Sequence, residues 1–193
     1  MMKFQICEES IATVSEHAEV SIIYKYDCLF DLTLVNNGLG GFVLTEKHLA
    51  VAQIKEYDAI EGEGPACWPA RFNLSKWGFI VARSSGQRVG GAVIAFDTVG
   101  VDMLEGRREL AVLWDIRVAQ AFRGQGVGAA LFQASERWAF ERGCRQLKVE
   151  TQNTNVAACR FYSGQGCTLG AIDRFAYPGL PDEIQMLWHK DLV

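Results

Sequence analysis

From Val20 to Leu29 apolar and polar residues alternate, with Val20, Ile22, Tyr24, Tyr26 and Cys28 on one face, the period-two pattern of a strand. A second extended stretch falls within Phe42 to Ile54. The loop from Tyr57 to Pro65 then carries Asp58, Glu61 and Glu63, and an aromatic segment follows with Trp68, Phe72 and Trp77. Two β-rich runs, Trp77 to Arg83 and Arg88 to Phe96, are joined by Ser84-Ser85-Gly86-Gln87, which predicts a hairpin. Leu110 to Val118 is apolar and β-branched enough for a central strand. The period then changes. Val127, Ala130, Leu131, Ala134, Trp138 and Ala139 recur at helical spacing, and Gly143 supplies a stop. A strand over Leu147 to Thr151, a short helix over Asn155 to Ser163, and strands over Leu169 to Tyr177 and Glu183 to Lys190 complete the reading. That order predicts an α/β fold with a mixed sheet rather than strict βαβ alternation. No repeat or linker interrupts it, so one domain over 1–193 is expected.

A length of 193 residues suffices for a sizeable core. The net charge of -4 argues against a non-specific nucleic-acid binder, which carries a basic face. No apolar run approaches the ~18 residues of a membrane span. The opening Met1-Met2-Lys3-Phe4-Gln5-Ile6 lacks the apolar core of a secretory signal, so a cytoplasmic location is expected. The six cysteines form no C-x-x-C pair and the three histidines are scattered, which predicts reduced thiols and no metal site.

The chemical signal is the loop Arg123-Gly124-Gln125-Gly126-Val127-Gly128-Ala129, between the strand ending at Val118 and the next helix. Glycines let backbone approach a ligand closely, and the first N–H groups of a helix have no partner inside it. With the helix dipole they make a site for phosphate oxygens. The string also satisfies G-x-G-x-x-A, with Glu150 further on, as in dinucleotide-binding folds. That fingerprint follows its strand directly, whereas Ala119 to Arg123 intervene here, and too little chain remains for the rest of such a sheet. A Walker loop is excluded, because no Gly-Lys-Ser/Thr follows.

Read as R-x-x-G-x-G, through Arg123, Gly126 and Gly128, the loop resembles the pyrophosphate loop of the GNAT-type N-acetyltransferases. A second signature of that superfamily, N-x-x-A-x-x-F-Y, follows as Asn155, Ala158, Phe161 and Tyr162, then Gly166. The resemblance covers Trp77 to the C-terminus. A narrower one is to the streptothricin acetyltransferases, carried by Leu113 to Val118, Gly143 to Asn153, Ala158 to Tyr162 with Gly166-Cys167, and Met186 to Leu192. It implies a GNAT-like fold, a mostly antiparallel central sheet flanked by helices, with residues 1–75 as a variable substrate-side part and 76–193 as the acetyl-CoA-binding core. The implied activity is acetyl transfer from acetyl-CoA, the only co-substrate and with no metal, to a small-molecule amine such as the β-lysine amine of streptothricin.

The resemblance also implies roles. The pantetheine arm runs along Ile116, Arg117 and Val118. Arg123, Gly124, Gln125, Gly126, Val127, Gly128 and Ala129 take the diphosphate. Asn155, Ala158 and Phe161 line the cofactor, and Tyr162 is the acid for the departing thiol. An alkyl amine is about 3 units below its pKa at neutral pH, so deprotonating it costs roughly 4 kcal/mol and calls for a base. Asp115 and Glu150 are the two candidates. Both lie in β-rich, apolar surroundings where desolvation raises a carboxyl pKa, unless an ion pair with Arg117 or Lys148 claims them. Asp58, Glu61, Trp68 and Trp77 are the candidates for attracting and stacking a polycationic amine. Acetylation of a protein N-terminus, a lysine or a polyamine stays open, as do a non-catalytic acyl-CoA sensor and a nicotinamide oxidoreductase. A homodimer is compatible with all of these; nucleic-acid and membrane partners are not expected.

Overall fold

The computed structural model of the chain describes residues 4–60 and 62–193. In chain order it forms β1 (Gln5–Glu8), α1 (Val14–Ala18), β2 (Tyr24–Leu34), β3 (Phe42–Lys55), α2 (Trp68–Arg71), β4 (Gly78–Ser84), β5 (Gln87–Phe96), β6 (Leu110–Val118), α3 (Val127–Glu141), β7 (Gln146–Gln152), α4 (Val156–Gly164), β8 (Thr168–Asp173) and β9 (Gln185–Asp191). The class is α/β, with a mixed sheet of seven strands and a separate two-stranded sheet. No helix among the described residues is long and apolar enough to cross a membrane.

The chain divides into two compact units. The first comprises the stretch ending at Ile22, Glu56–Val149 and His189–Val193. Its strands lie in the order β1-β4-β5-β6-β7, antiparallel except for the β6–β7 pair. The β4–β5 hairpin closes through Ser85 and Gly86, at φ 50° and 82°. Two successive left-handed residues give the turn whose twist matches that of the strands. Helix α3 buries Val127, Leu131, Phe132, Ala134, Trp138 and Ala139 and packs on β4, β5 and β6. It ends as the glycine predicts. Gly143 is left-handed at φ 83°, its N–H donates to Phe140 O at 2.9 Å, and Cys144 N–H donates to Ala139 O at 3.1 Å. This paired closure satisfies carbonyls that the last helical turn leaves open.

The second unit comprises Ile23–Lys55 and Glu150–Trp188. It holds the antiparallel β2–β3 pair, the end of β7, α4, and β9 followed by β8 in strand order. Phe30 and Asn153 exchange backbone N–H···O and side-chain bonds at 3.0 Å, so β2 is tied to the end of β7.

Three element boundaries differ from expectation. The first long strand begins at Tyr24 rather than Val20, because Val20 N–H donates to His17 O and closes the end of α1. Strand β8 stops at Asp173, whose carboxylate accepts Phe175 N–H at 2.7 Å and turns the chain. Strand β9 starts at Gln185, since Glu183 N–H is engaged by Leu180 O in a turn. Strand β1 and helix α1, too short for a periodic signal, were not predicted.

Candidate active site

Residue Trp114 has no partner on β5. Val93 pairs with Asp115 and Ile94 with Leu113, which leaves Trp114 as the extra residue of a β-bulge. The bulge resets the alternation of side chains along β6. Val112 and Trp114 join the aromatic cluster of Trp68, Trp77 and Phe72, and Asp115 and Arg117 then point to the same side, where they meet His17 beside Trp68. Beyond the bulge, Asp115 to Val118 stay paired with β5, while the ladder to β7 covers only Leu110–Leu113 with Gln146–Val149. The outer side of Ile116 to Val118 is therefore a sheet edge within this unit, able to pair with an extended ligand.

Following β6, Gly124 and Gly126 adopt φ 71° and 85°, a region that disfavours any residue with a Cβ. A Cβ at either would meet nothing within 4 Å, so both face open space. Gly126 is the N-cap of α3 and no side chain caps that end, so the amides of the first turn are presented outward. Arg123 Nε donates to Val118 O at 2.9 Å and Gln125 Nε2 to Ala121 O at 2.7 Å, bonds that fix the loop. Val127 is buried beneath it, and Gly128 and Ala129 form the first turn. Such a cradle fits a diphosphate. Replacing Gly126 by alanine will strain the turn and crowd this space, weakening acetyl-CoA binding about tenfold and lowering the melting temperature by a few degrees; isothermal titration calorimetry reads the affinity directly, and unchanged affinity removes the loop from the cofactor site.

The carboxylate expectation needs correcting for Asp115. Burial pushes its carboxyl up, yet hydrogen bonds and charge from Arg117 and His17 outweigh that and hold it well below the ordinary carboxylate range. Arg117 Nε and Nη2 donate to its two oxygens at 2.9 and 2.6 Å, and His17 Nε2 donates to Oδ1 at 2.8 Å. On its other side Arg117 forks onto Asp58 at 2.7 and 3.2 Å and reaches Val20 O at 3.1 Å. All five guanidinium N–H directions are thereby used. So Asp115 is a structural ion pair, the alternative weighed for it, and not a group poised to take a proton near neutrality.

The proposed substrate-facing set changes as well. Asp58 spends both oxygens on Arg117. Trp68 and Trp77 are 4% and 6% exposed, and their indole N–H groups donate to Glu63 O and Thr98 Oγ1, so neither offers a face to a substrate. The partly buried rings over that cluster are Trp114 and Phe72. Glu61 lies outside the described residues. Lys148 is not a partner of Glu150: its ammonium is buried against Met103 O and Glu105.

In the second unit Glu150 is held by neutral groups. Tyr177 O–H donates to its Oε1, Gln152 Nε2 reaches the same oxygen at 3.2 Å, and Gln185 Nε2 donates to Oε2 at 2.7 Å. Asn155 caps α4, its side-chain oxygen accepting Ala158 N–H at 3.1 Å, which leaves the amide NH2 outside the cap. Phe161 and Tyr162 stack edge to face at 5.2 Å, with Tyr162 4% exposed. His17, Tyr177 and Gln185 were not singled out by sequence. Nothing local in the sequence marks these three.

Residues 48–167 match the acetyltransferase (GNAT) family model. The chain belongs to the GNAT family. It is similar to a streptothricin acetyltransferase of Escherichia coli, 36% identical over 103 residues, which is 51% of this chain and 59% of that protein. The chain thus matches little more than half the length of that curated relative. Among solved structures, the fold is that of nourseothricin acetyltransferase, with TM-score 0.75, 22% identity, and 98% and 99% of the two chains covered. It is equally that of a Bacillus anthracis acetyltransferase in complex with acetyl coenzyme A, with TM-score 0.75, 24% identity, and 100% and 99% covered. All six cysteines are free, and Cys144, Cys159 and Cys167 are buried.

Proposed function

We propose that the protein is an acetyl-CoA-dependent N-acetyltransferase acting on the primary amine of a streptothricin-type antibiotic, by direct attack on the thioester. The observation that carries this reading is the left-handed glycine turn with uncapped helix amides, which follows, after the short connection Ala119 to Arg123, a bulged strand with an open backbone edge. The named similarity to streptothricin and nourseothricin acetyltransferases supports the acceptor class.

Acetyl-CoA supplies the activated acetyl group. The amides of Val127, Gly128 and Ala129 and the left-handed Gly124 and Gly126 hold the diphosphate; Ile116 to Val118 hydrogen-bond the pantetheine arm through backbone groups. A backbone N–H of that strand faces the thioester oxygen, where negative charge develops on attack. Glu150 takes the proton that the acceptor ammonium must lose. Its carboxylate is oriented by Tyr177, Gln152 and Gln185. Tyr162 gives a proton to the departing thiolate, and the amide NH2 of Asn155 contacts the pantetheine arm.

Free-thiol release from acetyl-CoA, measured with streptothricin, aminoglycosides, polyamines and peptides, tests the acceptor. Turnover with streptothricin well above the rest supports the reading, and none with streptothricin retires it. Tyr162→Phe will lower kcat by about 10²-fold while the dissociation constant of acetyl-CoA moves less than about twofold. Unchanged turnover takes Tyr162 out of its acid role.

A further inference from the structure

A carboxylate that must collect protons near neutral pH needs something other than a cation to orient it, because a cation would hold its pKa too low. Asp115 shows that second situation in the same molecule. Glu150 is oriented by uncharged donors instead. Its neighbours are a phenol and two amides, and one of these groups is itself cradled: Tyr177 oxygen accepts from Gln152 Nε2 at 2.7 Å while its hydrogen goes to Glu150. Gln152 sits two residues along the same strand, Tyr177 in the β8–β9 connection, and Gln185 at the start of β9. Three separate segments of the second unit therefore converge on one carboxylate.

We propose that Tyr177 is the positioning residue of the acyl-transfer base, its hydroxyl fixing the rotamer of Glu150. This rests on the reading of Glu150 as the base. The hydrogen bond is to Oε1, which also takes Gln152; among the described residues Oε2 takes Gln185 alone. A carboxylate oxygen accepts two hydrogen bonds readily, so Oε2 keeps a lone-pair direction for the acceptor ammonium. The step balances: one ammonium N–H bond breaks and its proton moves to Oε2, the freed nitrogen lone pair forms the C–N bond, the C–S bond breaks with its electron pair leaving on the coenzyme A thiolate, Tyr162 protonates that thiolate, and the second proton shed by nitrogen restores Tyr162. Tyr177 keeps its own proton throughout. Burial, then the charge of Glu150, pushes its phenol up, so it stays a donor across the working pH range.

Glu183, paired with Lys55 on β3, is the charged neighbour that acts on Tyr177 besides Glu150, and it also raises Tyr26 on β2 together with burial. Its charge acts in the direction that keeps the Tyr177 proton on. None of these donates to Glu150 in place of Tyr177.

The test is the pair Tyr177→Phe and Glu150→Gln, singly and together, in the full chain, read by steady-state kinetics with streptothricin. Tyr177→Phe should lower kcat at neutral pH about tenfold, with the KM for acetyl-CoA within about twofold. Unchanged kcat in Tyr177→Phe, with Glu150→Gln inactive, overturns the role of Tyr177 and leaves the base reading intact. Full turnover in Glu150→Gln instead overturns the base reading and this proposal with it. The double variant separates positioning from a merely structural effect: a residue that acts through Glu150 lowers kcat no further once Glu150 is glutamine, and an undiminished tenfold loss in that background overturns the proposal.

Discussion

Asp115→Ala will be the most destabilising single substitution among the residues discussed, lowering stability by about 3–5 kcal/mol. The reason is what it leaves behind. Arg117 is 3% exposed, and its guanidinium is satisfied by Asp115 on one side and by Asp58 and Val20 O on the other. Removing Asp115 strands two N–H groups and half the compensating charge in the interior, and takes from His17 the acceptor of its Nε2–H. For a chain of this size each kcal/mol shifts the melting temperature by roughly 2–4 °C, so a drop of about 10 °C is expected in a thermal melt. A drop below about 2 °C would mean the pair is solvent-compensated and not structural. The same pair has a pH signature. A carboxyl held below its unfolded value stabilises the folded state above the unfolded pKa, near 4, and that stability is lost as pH falls toward the folded value. Acid melts should therefore separate wild type from Asp115→Asn at pH 6 and bring the two curves together on acidification below about pH 4.

That network marks the limit of what the residue pattern could show. Strand β6, the β4–β5 hairpin, α3 with its glycine stop and the glycine turn before it were all legible, because each is dictated by local chemistry: period, turn residues, or φ > 0 at Gly86, Gly126 and Gly143. The polar site was not, because its parts are remote in sequence. His17 and Asp115 are 98 positions apart, and Arg117 and Asp58 are 59 apart. The bulge at Trp114 made matters worse, since strict alternation would send Asp115 to the opposite face from Trp114. Apolar surroundings alone suggested a raised carboxyl for Asp115; the cationic partners that overrule it become visible only in the fold. The tryptophans misled for a related reason. An aromatic segment near an acidic loop reads equally as a stacking platform or as core, and burial of Trp68 and Trp77 decides for core.

Glu150→Gln tests the proposed base with the largest expected effect on rate. The amide keeps the shape of the carboxylate but cannot accept a proton from an ammonium, and general bases contribute about 10²–10⁴-fold. Turnover with the amine acceptor should fall by about 10³-fold at neutral pH, while acetyl-CoA affinity stays within about twofold, since no amide of the cofactor loop is altered. The pH dependence distinguishes a lost base from a misplaced substrate. Without a base, only acceptor already deprotonated in solution can attack, and that fraction rises tenfold per pH unit up to the amine pKa near 10.4. The variant should therefore regain activity steadily between about pH 7 and pH 10, with a log-linear slope close to one, whereas a variant with a misplaced acceptor would stay slow at every pH. A kcat within about threefold of wild type at pH 7 removes Glu150 from the chemistry, and the acceptor would then have to reach the thioester already neutral.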